Sequence, residues 1–355
     1  MQTHPPLDLS IGQDLVETVL NRFYERAKAR AAKLGPGYLS LWQALENSTA
    51  GGKRVRPRIL LTAYLNLGGT DTAAAARVGA AFELLHTALI VHDDVIDLDF
   101  TRRGLENVSG VYRGLATAAG VEAGAARHRG LSAGVIAGDL ALTGAFRLLG
   151  SAEVDTDVRE RLAEILDDAV FASAGGELID VDLSFHPDAP PIAEILHMER
   201  LKTAVYSFEA PLQAGAVLAG ASNDVVTTLG LFGRDIGIAY QVVDDLLGVF
   251  GTESTTGKSS FSDLREGKRT VLVSYVARKP EWAELSGLIG NSELTARDAA
   301  RARELLVSSG ARDHAQQLVR EYADRARQHL DCPAVTPGLR AALSTVVDDA
   351  VNRGR

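Results

Sequence analysis

The chain has 355 residues, of which 46% are hydrophobic and 23% charged, and a formal net charge of -9. This is ordinary globular composition with ample apolar material for a core, and the acidic balance argues against a nucleic-acid binder, which carries a basic footprint. Cys332 is the only cysteine, which removes a disulfide framework and a cysteine metal site.

The opening residues, Met-Gln-Thr-His-Pro-Pro, show no basic region leading into an apolar run, so no signal peptide is expected. No uninterrupted apolar run of about 18 residues occurs either, so no membrane span is expected. A cytoplasmic protein follows as the expectation. Helical spacing of Ile11, Leu15, Val19, Leu20 and Phe23 predicts a first helix over 11–33, stopped by Gly35-Pro36-Gly37. A short helix over 38–48 leads into Gly51-Gly52-Lys53-Arg54-Val55-Arg56-Pro57-Arg58. These four cations within six residues are introduced by two glycines, and Pro57 suits the first turn of a helix reaching Leu67. Cations and backbone N–H groups at a helix N-terminus receive phosphate well.

After Gly68-Gly69 comes a long helix, apolar on every side through Leu84, Leu85, Leu89, Ile90 and Val91. It runs into Asp93, Asp94, Asp97 and Asp99 and then Arg102-Arg103. Asp93 and Asp97 are one turn apart and share a face. If the helix ends near Gly104, they crowd its negative pole, where cations are favoured. Like charges placed so badly call for a positive partner, and Mg2+ suits: it takes one or two carboxylates and completes its shell with substrate phosphates.

Residues 105–130 are rich in glycine and alanine and give no clear assignment. Helices are expected over 131–150 and 153–182, the second with Gly175-Gly176-Glu177 and Asp180, and Pro187, Pro190 and Pro191 break the chain. A helix over 192–220 carries Lys202-Thr203 and Tyr206. Another, over 235–251, repeats the earlier device by ending in Asp244 and Asp245. A polar loop, 252–270, holds Lys258, Lys268 and Arg269, and 271–353 reads as four shorter amphipathic helices. No period-two alternation bounded by turns occurs, so the chain is expected to be all-α. With no linker between the two acidic helices, a single domain over 1–355 is expected. Two decoys stand aside. Thr256-Gly257-Lys258-Ser259 lacks the glycine spacing and leading strand of a P-loop. His86 and His92 have no cysteine or histidine partner at metal spacing and read as hydrogen-bonding groups.

Taken together, these motifs resemble the trans (E) polyprenyl diphosphate synthases, strongly over about 45–275 and elsewhere by helical character. The resemblance implies a helical bundle around a deep central cavity, usually a homodimer. It implies head-to-tail condensation of isopentenyl diphosphate with an allylic diphosphate (dimethylallyl, geranyl or farnesyl), using Mg2+, about three ions with substrate bound. It places Asp93 and Asp97 on metal ions that grip the allylic diphosphate, Asp94 in support, and Asp244 with Asp245 on a further ion. Arg102, Lys202 with Thr203, Lys258 and Gln241 would contact that diphosphate. Lys53, Arg56, His86 and Arg103 would bind isopentenyl diphosphate, and Lys268 would help close the site. The chemistry agrees: breaking an allylic C–O bond leaves a carbocation and a diphosphate, so positive charge must gather on the leaving group and water must be excluded.

The chain departs from the pattern at Gly248, where the family commonly has a third aspartate, and at Glu177, where relatives often carry glutamine. For product length, Ala88 lies five residues before Asp93, about 7.5 Å deeper. Small Ala88 with Leu89 leaves the upper pocket open above Leu85, Leu84 and Phe82. Geranylgeranyl diphosphate is the expected product, then farnesyl, then longer chains. The rivals are a class I terpene cyclase, which has no use for Lys53, Arg56 and Arg103, and a catalytically silent helical partner of an active synthase, which Gly248 favours.

Overall fold

A computed structural model describes residues 9–102, 104–186, 188–251, 262–291 and 293–352. Arg103, Lys258 and the glycine-lysine decoy lie outside them. The protein is all-α, as expected, apart from a two-stranded ribbon.

The chain divides into two compact units, each built from two segments. The first takes residues 1–170 and 210–226, the second 171–209 and 227–355. In the first unit, α1 (Leu9–Ala31), α2 (Pro36–Thr49) and α3 (Val55–Asn66) precede α4 (Thr72–Ile96), which the Asp71 carboxylate caps by accepting from the Ala74 N–H at 3.0 Å. β1 (Thr101–Arg102) and β2 (Leu105–Glu106) form an antiparallel ribbon, followed by α5 (Val108–Ala118) and α6 (Ala123–Gly150). α7 (Thr156–Phe185) begins in this unit, and α9 (Ala210–Leu218) returns to it.

α4 is the centre of the first unit and packs on α1, α3 and α6. The glycine-alanine stretch that sequence left unassigned becomes the second strand of the ribbon, α5 and the start of α6. Small residues let α6 come close: a Cβ on Gly138 would stand 2.2 Å from the His92 ring. α4 and α6 are both long and apolar enough on average to cross a membrane, although Arg77, Glu83 and Asp139 interrupt them. Burial marks α4 as a core helix, whereas α6 keeps an exposed apolar face with Val135, Ile136 and Phe146.

The second unit holds the end of α7, α8 (Ile192–Glu199), a π-helix over Arg200–Glu209, α10 (Asn223–Phe250, from Thr227 onward) and α11 (Ser262–Glu266). Among the described residues five helices follow where four were expected: α12 (Val271–Val276), α13 (Trp282–Leu285), α14 (Ala296–Ser308), α15 (Ala311–His329) and α16 (Pro337–Val351). Ile195, Val242, Val271, Leu272, Leu306 and Val319 are among its core residues.

Candidate active site

α4 does not run on to Gly104. It stops at Ile96, with Asp97 as its C-cap and Leu98 in the left-handed conformation at φ 60°. The Asp99 N–H donates to the Asp94 carbonyl at 2.8 Å and the Leu98 N–H to the Val95 carbonyl, which closes the end as a Schellman turn. Leucine is an unusual occupant of that conformation, where Cβ crowds the carbonyl. The stop has a use: it lets the chain turn into the ribbon, whose first strand returns Arg102 to the aspartates.

The Arg102 guanidinium spans two of them. Its Nε donates to Asp94 Oδ1 at 2.8 Å and an Nη to Asp93 Oδ2 at 3.0 Å. Asp94 is 3% exposed. Burial pushes its carboxyl up to about 6, although Arg102 pulls the other way. Burial also opposes the charge on Arg102, but Asp94 and Asp93 outweigh it and hold the guanidinium above its usual range. Asp93 is half-buried and Asp97 exposed.

Below Asp93 the same face of α4 continues through Leu89 and Ile90, one turn back, to His86, two turns back. All three are only half-buried in the middle of an otherwise buried helix. The strip closes at fully buried Phe82, about 16 Å from Asp93 along the helix. Leu85 is buried beside it. Ala88 is off this face and 1% exposed, so its surroundings are already packed.

The basic loop has a different balance from the one its composition suggests. Arg54 turns inward, at φ 47°, between Gly51 and Gly52 on one side and α3 on the other. One of its Nη atoms donates to the Thr49 carbonyl at 2.6 Å and to Glu83 at 3.0 Å, and Glu17 takes the rest of the fork. Arg54 therefore anchors the loop, while Lys53 is exposed and Arg56 half-buried.

In the second unit, Lys202 and Thr203 sit on the π-helix. Lys202 Nζ meets Asp180 at 2.6 Å and Glu177 at 3.0 Å, both on α7. The approach requires Gly176, where a Cβ would stand 2.3 Å from the Lys202 nitrogen. On α10, Asp244 is exposed and Asp245 buried at 7%. Gln241 Nε2 donates to Asp245 Oδ1 at 3.2 Å. Buried Glu199 shares a hydrogen bond with Asp245; burial first, then the Asp245 charge, push its pKa well above the carboxylate range. Gly248 is half-buried in the last turns of α10. Lys268 lies 3.3 Å from Glu266.

Both acidic helix ends thus share a division of labour. One aspartate is buried on protein partners (Asp94 on Arg102, Asp245 on Gln241 and Glu199), while Asp93, which Arg102 also holds, is half-buried and Asp97 and Asp244 are exposed. The resemblance places all five on metal ions; in the structure Asp94 and Asp93 also hold Arg102, and Asp245 holds Gln241. Arg54, Asp180 and Glu199 were missed as contributors. Asp180 could have been found from its place one turn after Glu177, but nothing in sequence marks Glu199 as the partner of Asp245. Among the described residues no three acidic, histidine or cysteine side chains form a ready-made cage for an ion. Outward carboxylates still fit Mg2+, whose shell is completed by phosphate oxygens and water.

A family model described as Polyprenyl synthetase matches residues 40–306. The chain belongs to the polyprenyl synthetase family. It is accordingly a prenyl-transferring enzyme. Its sequence is 34% identical over 309 residues to a geranylfarnesyl diphosphate synthase of Aeropyrum pernix, covering 86% of this chain and 91% of that one. It is 31% identical over 311 residues to a geranylgeranyl diphosphate synthase of Saccharolobus solfataricus, covering 86% and 87%. The fold superposes with a TM-score of 0.90, at 30% identity, on a geranylgeranyl pyrophosphate synthase of Corynebacterium glutamicum complexed with isoprenyl diphosphate and magnesium, covering 98% of this chain and 100% of that one.

Proposed function

We propose that this prenyltransferase condenses isopentenyl diphosphate with allylic diphosphates in a Mg2+-dependent reaction, with all-E geranylgeranyl diphosphate as product. The observation that carries the reading is on α4: outward carboxylates and a doubly held arginine stand above a half-exposed apolar strip, which suits a molecule with a diphosphate head and a hydrocarbon tail. Asp93 and Asp97, with Asp94 in support, would hold Mg2+ ions, and Asp244 with Asp245 a further one. Bound Mg2+ would neutralise the diphosphate as the allylic C–O bond breaks.

The chain's own residues do the rest. Arg102, pre-aimed by Asp93 and Asp94, supplies fixed donors to the departing oxygens at no reorganisation cost. Lys202, held by Asp180 and Glu177, is a second such donor, with Thr203 beside it. Lys53, Arg56, His86 and Arg103 would bind isopentenyl diphosphate, whose double bond attacks the cation before a proton is lost. No described side chain is cast as the base; the released diphosphate takes that role in this reading. Lys258 and Gln241 would contact the allylic diphosphate as well, and Lys268 would help close the site. The homodimer belongs to the proposal too, supported by the exposed apolar face of α6.

A geranylfarnesyl product is the second reading, supported by the Aeropyrum relative. Incubation with labelled isopentenyl diphosphate and each allylic primer, with and without EDTA, tests the assignment. Products should elongate to the geranylgeranyl ester only when metal is present, and release of no diphosphate would reject it. Phenylalanine at Leu89, on the strip, or at Ala88, on the packed wall, should shorten the product. A distribution unchanged in both variants would show that α4 is not the ruler.

A further inference from the structure

At the far end of α4, in the first unit, lies a cavity of about 460 Å³ that the reading above leaves unused. It is lined by five arginines: Arg22, Arg26 and Arg30 from α1, Arg77 from α4 and Arg147 from α6. No acidic residue lines it. Its apolar side is made by Val19, Phe23, Ala27 and Leu148.

The hollow is open, with Arg22, Arg26, Arg30 and Arg147 exposed and Arg77 half-buried, yet the gathering of like charges carries a cost. Arg22, Arg26 and Arg30 recur every four residues on one face of α1, where like charges repel. Arg77 sits in the second turn of α4, near a positive helix pole that disfavours cations. The Arg147 guanidinium is pushed below its ordinary range by partial burial and by Arg30 and Arg26. It lies over the Phe23 ring, 5.0 Å from the centroid. Only Arg77 is neutralised, by Glu153 at 3.0 Å, and it also donates to the Ser151 carbonyl at 2.8 Å. Among the described residues, Arg22, Arg26 and Arg30 enter no ion pair. In a chain of net charge -9, five cations converging on one hollow point to an anion.

We propose that this cavity is a second anion site, which takes a phosphate- or diphosphate-bearing molecule with a short apolar stem. Guanidinium forks match phosphate oxygens in pairs. The volume is that of an ordinary small-molecule site, and the Phe23–Leu148 wall receives the stem. The site is distinct from the acidic cluster: Arg77 and Asp93 are sixteen residues apart on one helix, about 24 Å. No ligand bound at Asp93 accounts for it, and it holds whether or not the proposed product length is right.

The test uses the full chain in EDTA, which suppresses metal-dependent diphosphate binding, and titrates it with hexyl phosphate by calorimetry. Wild type and the Arg102→Ala variant should bind alike. An Arg26→Ala/Arg147→Ala double variant should bind roughly tenfold more weakly or worse, since each lost contact is a charge-assisted one. The Arg26→Lys/Arg147→Lys double variant, which keeps the charge, should retain most of the affinity and guards against a folding defect. Co-sedimentation with phosphatidylglycerol and phosphatidylcholine vesicles separates the sources. Capture by the anionic vesicles alone, lost in the double alanine variant, identifies a lipid headgroup; binding of hexyl phosphate without vesicle capture identifies a free phosphate ester. Equal binding by wild type and the double alanine variant, loss of binding in Arg102→Ala, or no binding of either probe overturns the proposal.

Discussion

Replacing Gly176 by alanine places a methyl group 2.3 Å from the Lys202 nitrogen, 2.7 Å from its Cα and 2.8 Å from the Leu201 carbonyl carbon. All three are backbone atoms, so no rotamer change relieves the clash, and the π-helix must retreat from α7 by about 1 Å to restore ordinary contact. Overpacking of this kind costs about 1–3 kcal/mol, partly offset by the roughly 1 kcal/mol that alanine gains over glycine within a helix. A backbone clash belongs at the upper end, leaving a net loss of about 1–2 kcal/mol. The retreat also carries Lys202 away from Asp180 and Glu177, and a displacement of about 1 Å in a substrate-positioning group can cost on the order of 100-fold in rate. Gly175, the preceding residue in the same helix, is the control: a Cβ there meets nothing within 4 Å. Gly175→Ala should therefore stabilise the protein by about 0.5–1 kcal/mol and leave turnover intact. Urea denaturation and steady-state kinetics on the two variants measure both effects. If Gly176→Ala is as stable and as active as Gly175→Ala, the close approach of α7 to the π-helix is not what holds Lys202.

Three further outcomes are expected. Arg102→Lys keeps the charge but cannot serve Asp93 and Asp94 with one planar fork, so kcat/KM for the allylic substrate should fall by about tenfold or more while the melting temperature changes little; unchanged kinetics would remove Arg102 from the site. Leu98→Gly relieves the left-handed strain at the end of α4 and, with a side chain already 44% exposed, gives up little burial. Stability to urea should rise by about 1 kcal/mol, and a fall would mean that the Leu98 side chain holds the turn. Burial and the Asp245 charge favour the protonated form of Glu199, so Glu199→Gln, which offers Asp245 a donor, should melt within about 1 kcal/mol of wild type, whereas Glu199→Ala should lose about 2 kcal/mol or more. Equal losses in the two variants would contradict a protonated Glu199.

Much of this protein is readable without coordinates. The helix under Asp93 is apolar on every side, and no periodicity other than the helical one competes with it, so the all-α class and the principal acidic helix follow from pattern alone. The crowding of carboxylates at Asp93, Asp97 and Asp244 is likewise legible, because like charges on one helix face near its negative pole call for a positive partner. Element ends were harder to read. The stop at Ile96 depends on a leucine in a conformation that favours glycine, and sequence offered Gly104 as the better terminator. The ribbon that returns Arg102 is too short to show alternation.

What tertiary structure alone decided is which member of each charged group works outward. Asp93 and Asp94 are neighbours of the same type and share Arg102, yet Asp94 is buried and Asp93 half-buried; Lys53 and Arg54 are neighbours too, and only Arg54 turns inward. Those partners (Arg102 for Asp94, Glu83 and Glu17 for Arg54, Glu199 for Asp245) come from other elements of the chain. Sequence determined that like charges crowd together at these places and that the helices exist to carry them; the cost of burying a charge, which is tolerable only beside a donor or an opposite charge brought in by packing, determined the rest.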